Sequence, residues 1–303
     1  MRVAFAGSPE AAVAPLRALA ASSHEVTVVV SQPDRARGRS RRPSPTPVAA
    51  AAQELGIPVL RPATINAPDV IAAISATGAE ALAVVAFGQL LRDGVLSRWP
   101  CVNVHFSLLP AYRGAAPVER ALMDGVEETG VTIMLMDAGL DTGPMLSATR
   151  IPVGPDDDAG ALLARLSDIG GPQLVAALDA LETGAARPTP QPEEGTTFAP
   201  KITAEDRVLD LARPAVALER RIRALSPHIG ATCHIDGEPF KVWRARARAE
   251  EAPAGLSVED GRLVAGCASG SLELVEIQPP GRGRMDAQAF VRGWRGPLAW
   301  STS

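Results

Sequence analysis

Apolar positions along the chain fall into short runs separated by polar breaks. Residues 2–6 read as a buried strand, and Ser8-Pro9-Glu10 then supplies an N-cap, a proline at the first helical position and an acid in the first turn. That order predicts a helix running to about residue 21. The run 26–30 is β-branched, as in the core strands of parallel sheets. Alanine content and spacing predict helices over 47–55 and 67–76, while 82–86, 102–105 and 131–136 read as further strands. Strand and helix alternating over about 140 residues predict a parallel, doubly wound sheet, whose ligands bind at the carboxyl ends of the strands.

A helix over 159–182 closes this half. Residues 183–197 are rich in Pro, Gly, Thr and Glu, the composition of an inter-domain linker. Beyond them come a helix over 216–224 and short alternating strands over 231–235, 240–244, 262–266 and 272–277, with turns such as Asp236-Gly237. These predict a small β-barrel or sandwich. The chain therefore divides into a first domain over 1–182, a linker over 183–206 and a second domain over 207–303.

Composition agrees with this division and narrows the setting. A chain of 303 residues, 46% hydrophobic and 21% charged, has room for two domains and is too apolar for disorder. Its longest charge-free stretch, 99–112, contains Asn103 and His105 and falls short of the roughly 20 apolar residues of a membrane span. The apolar start is broken too early by Ser8-Pro9-Glu10 for a signal-peptide core. Cys101, Cys233 and Cys267 lie in unrelated settings without a Cys-x-x-Cys pair, so neither a disulfide framework nor a metal site is expected. The cytoplasm is the expected compartment.

The formal charge of −4 argues against a nucleic-acid partner until it is split by position. From Arg207 onward there are 14 basic and 11 acidic residues, a net +3, which leaves −7 for residues 1–206. Within that acidic half, Arg35, Arg37, Arg39, Arg41 and Arg42 stand against the single acid Asp34, a local +4. A loop of five arginines punctuated by Gly38 and anchored by Pro43, Pro45 and Pro47 can neutralise several phosphates. A generic loop of this kind is more often only a solvated surface. Its place directly after the second strand, at the same end of the sheet as the expected site, favours phosphate binding.

Candidate chemistry is densest at Val102-Asn103-Val104-His105, followed by Ser107-Leu108-Leu109-Pro110 and Arg113-Gly114-Ala115-Ala116-Pro117. On a strand, Asn103 and His105 point to one face, so an amide and an imidazole converge. A histidine at a strand end is by itself more often structural; the amide two residues before it brings the catalytic and structural readings level. A second cluster, Asp137-Ala138-Gly139-Leu140-Asp141-Thr142-Gly143, holds two aspartates and two glycines where an apolar strand breaks. It reads either as a capped turn or as the source of an acid for His105. A nicotinamide cofactor is excluded, because Gly7-Ser8-Pro9-Glu10 lacks Gly-x-Gly-x-x-Gly.

These segments in this order, together with Glu128-Thr129-Gly130-Val131-Thr132, resemble the 10-formyltetrahydrofolate formyltransferase superfamily. The likeness extends from Phe5-Ala6-Gly7 to Gln278-Pro279-Pro280-Gly281. The resemblance implies a Rossmann-like N-terminal formyltransferase domain and an OB-like C-terminal β-barrel. It also implies transfer of a formyl group from 10-formyltetrahydrofolate to the methionine of initiator Met-tRNA, for translation initiation, without a metal; the lack of a long apolar patch in the sequence adds the expectation of a monomer. By the same likeness Asn103, His105 and Asp141 form a catalytic trio: Asn103 donates to the oxyanion, His105 relays the proton and Asp141 holds His105. Phe87, Gly88 and Gln89, with Ser107, Leu108, Leu109 and Pro110, line the folate pocket. The arginine loop approaches the acceptor stem, with Arg39 as first choice for a specificity contact. A folate-dependent hydrolase or sugar-amine formyltransferase shares the trio, and the arginine loop separates them. Phe106 stands where many members have Gly, a departure expected to be tolerated.

Overall fold

Strand β1 (Arg2–Gly7) lies inside a seven-stranded sheet, with every residue except Arg2 buried. Its neighbours are β2 (Glu25–Val30) and β4 (Ala81–Val85), with β3 (Val59–Leu60) beyond β2 and β5 (Cys101–His105) beyond β4, all parallel. Next to β5 come β6 (Glu128–Leu135) and, at the edge, β7 (Met145–Pro152), so the spatial order is 3-2-1-4-5-6-7. The structure, a computed structural model, describes residues 1–36, 43–296 and 298–302.

The alternating pattern predicts an all-parallel sheet, and the sheet is mixed: β6 runs antiparallel to β5, and β7 antiparallel to β6. The register explains the reversal. Residues 106–127 leave β5 at its carboxyl end and re-enter the sheet at that same end, where Thr132 pairs with His105, so β6 must run downward. Strand β7 carries no β-branched run and alternates only weakly because it is a half-exposed edge, which hides it from a hydrophobicity reading.

Helices α1 (Val13–Ala20), α2 (Pro47–Glu54) and α3 (Pro68–Ala76) connect the parallel strands. Helix α2 has Thr46 as N-cap, its hydroxyl accepting from the Ala49 N–H at 3.1 Å, with Pro47 at the first position. The expected cap at Ser8 is absent. A 3₁₀ turn over Glu10–Ala12 precedes α1, and the Ser8 hydroxyl instead accepts from Gln32 N (3.1 Å) and donates to the Phe87 carbonyl (3.3 Å). The loops after β1, β2 and β4 are thereby tied together beside the point where strand order reverses, the usual ligand position in such sheets.

Two units emerge from internal packing. The first comprises Met1–Pro117, Glu128–Pro152 and Leu163–Ala199; the second comprises Val118–Glu127, Val153–Leu162 and Pro200–Ser303. The second unit is an antiparallel, nearly closed, barrel-like sheet built from β8 (Ala231–Ile235), β9 (Glu238–Arg248), β10 (Gly255–Glu259), β11 (Arg262–Gly266) and β12 (Ser271–Gln278). Register shifts around Arg244 bend the long β9. Leu218 and Ile222 of a helix over Ala215–Leu225 fill its core with Phe240, Val242 and Leu274.

Within this unit Arg120 grips Asp206 with two hydrogen bonds of 2.8 and 2.6 Å, and Thr203 N adds a third at 2.8 Å. The Arg120 guanidinium, more than the Thr203 bonds, holds the Asp206 carboxyl down to about 2. No helix among the described residues is long and apolar enough to cross a membrane.

Candidate active site

Asn103 and His105 share one face of β5, and both are buried. They open on a cavity of about 440 Å³ in the first unit, lined also by Pro9, Phe87, Gly88, Gln89, Gly114 and Asp141. That volume lies within the roughly 300–1,000 Å³ of ordinary small-molecule sites. Leu90 and Leu140, 69% and 56% exposed, add apolar surface to its lining.

Asn103 sits in register between Val84 and Met134, and its side chain has no hydrogen-bond partner among the described residues. Both amide hydrogens are therefore available to a ligand. His105 is fixed differently. Its Nε2 lies 2.9 Å from the Tyr112 carbonyl, which can only accept, so Nε2 carries the hydrogen and Nδ1 the lone pair of the neutral ring. Asp141 Oδ2 is 3.8 Å from Nδ1, beyond a hydrogen bond but within ion-pair range of a protonated ring. The hold on the imidazole expected from Asp141 is thus made by a main-chain carbonyl, and the carboxylate faces the nitrogen left free.

Asp141 arrives on the loop between β6 and β7. Its Oδ2 accepts from Gly114 N at 2.8 Å, and its φ of 51° is left-handed. Ala86 (φ 44°) and Tyr112 (φ 60°) share that conformation, so the described non-glycine residues of the first unit with positive φ all lie in the cavity wall or hold His105. Strain of this sort persists where surrounding contacts enforce it. Phe106 is not among these residues; its buried ring lies near Gly170, so the departure from Gly after His105 costs no left-handed turn.

The other expected residues divide. Phe87, Gly88 and Gln89 line the cavity, with the Gln89 carbonyl oxygen of its side-chain amide accepting from Ile65 N at 2.7 Å. Ser107, Leu108, Leu109 and Pro110 are not lining residues. They form a turn in which Ser107 Oγ donates to the Ala111 carbonyl (2.6 Å) and the Ser107 carbonyl accepts from Thr132 Oγ1 (2.7 Å). Arg35 is exposed, on a two-residue strand over Arg35–Ala36 paired with Pro43–Ser44. Arg37, Arg39, Arg41 and Arg42 lie outside the described residues. Asp34, the one acid beside them, pairs with Arg61 at 3.0 Å.

Sequence reading missed Tyr112 and Gln191, and it singled out the segment holding Gly114 without its contact to Asp141; all three touch His105 or Asp141. It also missed a cluster of His24, Asp179 and Glu182, whose members are far apart in the chain. His24 Nε2 lies 3.1 Å from Asp179, and Glu182 accepts from the Met1 ammonium at 2.5 Å.

Comparison with known proteins gives a consistent result. The formyl transferase family pattern matches residues 1–178, and that of the formyl transferase C-terminal domain matches 201–295. A protein of Rubrobacter xylanophilus named methionyl-tRNA formyltransferase is 49% identical over 97% of this chain and 97% of its own. Proteins of the same name from Ruegeria pomeroyi and Caulobacter vibrioides are each 43% identical, covering 98% and 100% of this chain and 98% and 99% of theirs. Among solved structures, the sugar 3N-formyl transferase WlaRD superposes with a TM-score of 0.68 at 15% identity, over 93% of this chain and 99% of its own. Glycinamide ribonucleotide transformylase 1 from Symbiobacterium toebii gives 0.52 at 22% identity, over 63% and 93%.

Proposed function

The chain belongs to the formyl transferase family, and we propose that it carries the formyl group of 10-formyltetrahydrofolate to the amino group of methionine on initiator Met-tRNA. Full-length relatives that bear the methionyl-tRNA formyltransferase name support this acceptor. The fold alone does not select it, since a sugar 3N-formyl transferase shares the architecture.

The observation that carries the chemistry is the convergence of an unpartnered Asn103 amide and the free Nδ1 of His105 on one cavity. The neutral methionine amine attacks the formyl carbon, and the carbonyl oxygen gains negative charge. Asn103 donates to that oxyanion, a contribution worth about 3–4 kcal/mol in comparable acyl transfers. Forming the new C–N bond leaves the attacking nitrogen with one proton too many, while N10 of the folate needs one to depart. His105 Nδ1 takes that proton and returns it to N10 as the C–N10 bond breaks, a relay worth roughly 100- to 10,000-fold. While the ring is charged, the Asp141 carboxylate 3.8 Å away stabilises it.

One formyl group and one proton move, so the scheme requires no metal. We place the enzyme in the cytoplasm as a monomer, with the arginine segment 35–42 and the modestly basic second unit meeting the tRNA. Incubation with 10-formyltetrahydrofolate and Met-tRNA should yield formyl-methionine on the tRNA, and His105→Ala should abolish transfer while folate still binds. Release of free formate, or formylation of an amino sugar in preference to Met-tRNA, would overturn the proposal.

A further inference from the structure

The segment 189–199 reads by composition as linker, yet both of its ends are anchored in the first unit. Thr189 bridges Met145 at one end, and Phe198–Ala199 pairs with Arg113–Gly114 at the other. Gln191 lies between these anchors. Its Nε2 donates to the carbonyls of Asp141 and Gly143, both at 2.8 Å. Its Oε1 accepts from Arg113 Nε at 3.0 Å and Nη2 at 2.7 Å. A neutral amide has two donor hydrogens and two acceptor lone pairs, and here all four are used.

The circuit closes on one residue. Gly114 N holds the Asp141 carboxylate directly, while its neighbour Arg113 holds the Asp141 backbone through Gln191. Asp141 is left-handed, a conformation that a non-glycine residue keeps only where its surroundings fix it. Without the two donor bonds, the 141–143 backbone would be free to relax and carry the carboxylate away from His105.

We infer that Gln191 is a positioning residue for the transfer reaction, acting on Asp141 and, through it, on the charged state of His105. The inference rests on the roles given above to Asp141 and His105. It assigns a part in the chemistry to a residue about 50 positions away in sequence and outside the cavity lining.

Two variants test it. Gln191→Met keeps the length of the side chain but donates nothing, and Gln191→Glu retains the Arg113 pair while turning an acceptor toward both carbonyls. Each should lower kcat per folded molecule by roughly 10- to 100-fold, the range for misplacing a catalytic group by about 1 Å, with KM for folate and for tRNA within about threefold of wild type. Thermal melting of each variant supplies the folded fraction. In an Asp141→Asn background, which should itself be slow, adding Gln191→Glu should change the rate by less than about twofold, because residues acting as a unit are not additive. Multiplying losses in the double variant, or a wild-type kcat per folded molecule in both single variants, would overturn the inference alone. An Asp141→Asn enzyme as fast as wild type would overturn the catalytic reading, and this inference with it.

Discussion

Asn103→Ala is the cleanest perturbation this site offers. The amide is 8% exposed, has no protein partner among the described residues and lies between Val84 and Met134 in the sheet register. Truncating it orphans no buried donor or acceptor, so the usual penalty for breaking a buried hydrogen bond does not arise. Stability should change by less than about 1 kcal/mol, a shift of a few degrees in Tm. The rate should respond very differently. If the amide meets charge that develops only in the transition state, its loss costs about 2.7–4 kcal/mol, a fall of 10²–10³ in kcat, with folate affinity nearly unchanged. Single-turnover formylation of Met-tRNA isolates the chemical step, and a folate titration reports binding. Asn103→Asp keeps the shape but faces the oxyanion with a carboxylate, and should be no faster than Asn103→Ala. A variant within tenfold of wild type, or one altered only in KM, would refute the oxyanion role. His105→Ala lacks this clarity because it strips the Tyr112 carbonyl of its donor.

Three further outcomes are expected. Gly143→Ala would drive a Cβ into the Leu135 carbonyl oxygen, so the 141–143 turn must shift; kinetics should show roughly a 10- to 100-fold loss in kcat, and normal turnover would mean that the turn yields without moving Asp141. Arg39→Ala should weaken tRNA binding far more than folate binding and lower the slope of log affinity against log salt by about one, whereas a flat salt response would remove the loop from the phosphate contacts. Asp206, held at about 2 against an ordinary 3.8, stabilises the fold above pH of about 4 and loses that contribution as pH falls toward 2. The gap of about 2 kcal/mol expected between wild type and Asp206→Asn at pH 7, followed by denaturation, should therefore close near pH 2, and a gap independent of pH would contradict the Arg120 pairing as its source.

Four of the five parallel strands were legible as short apolar runs, and 26–30 and 82–86 needed nothing more; β3, two half-buried residues at the sheet edge, offers no such run. The reversal at β6 was not legible, since direction depends on where the chain re-enters the sheet, and hydrophobicity carries no arrow. The trio was visible as a motif, with Asn103 and His105 placed on one face by strand periodicity alone. What orients it was hidden. The acceptor for His105 is a main-chain carbonyl, which every residue has, and the support for Asp141 comes from a polar segment whose composition resembles any linker. Ser8 shows the opposite hazard: a strong local capping signal is overridden because its hydroxyl is needed by two neighbouring loops.

The interleaving of the two units has a consequence for how the protein is made. The chain passes between them five times, so the second unit cannot close until residues beyond 200 have left the ribosome. Segments 118–127 and 153–162 must wait through the synthesis of everything between them and that point, Arg120 without Asp206 and the Asp157 carbonyl without Arg223. A fragment beginning at residue 200 would carry the barrel strands but lack two of the three stretches that complete their unit. Cutting the gene at the apparent domain boundary therefore leaves two stretches of the second unit on the other fragment.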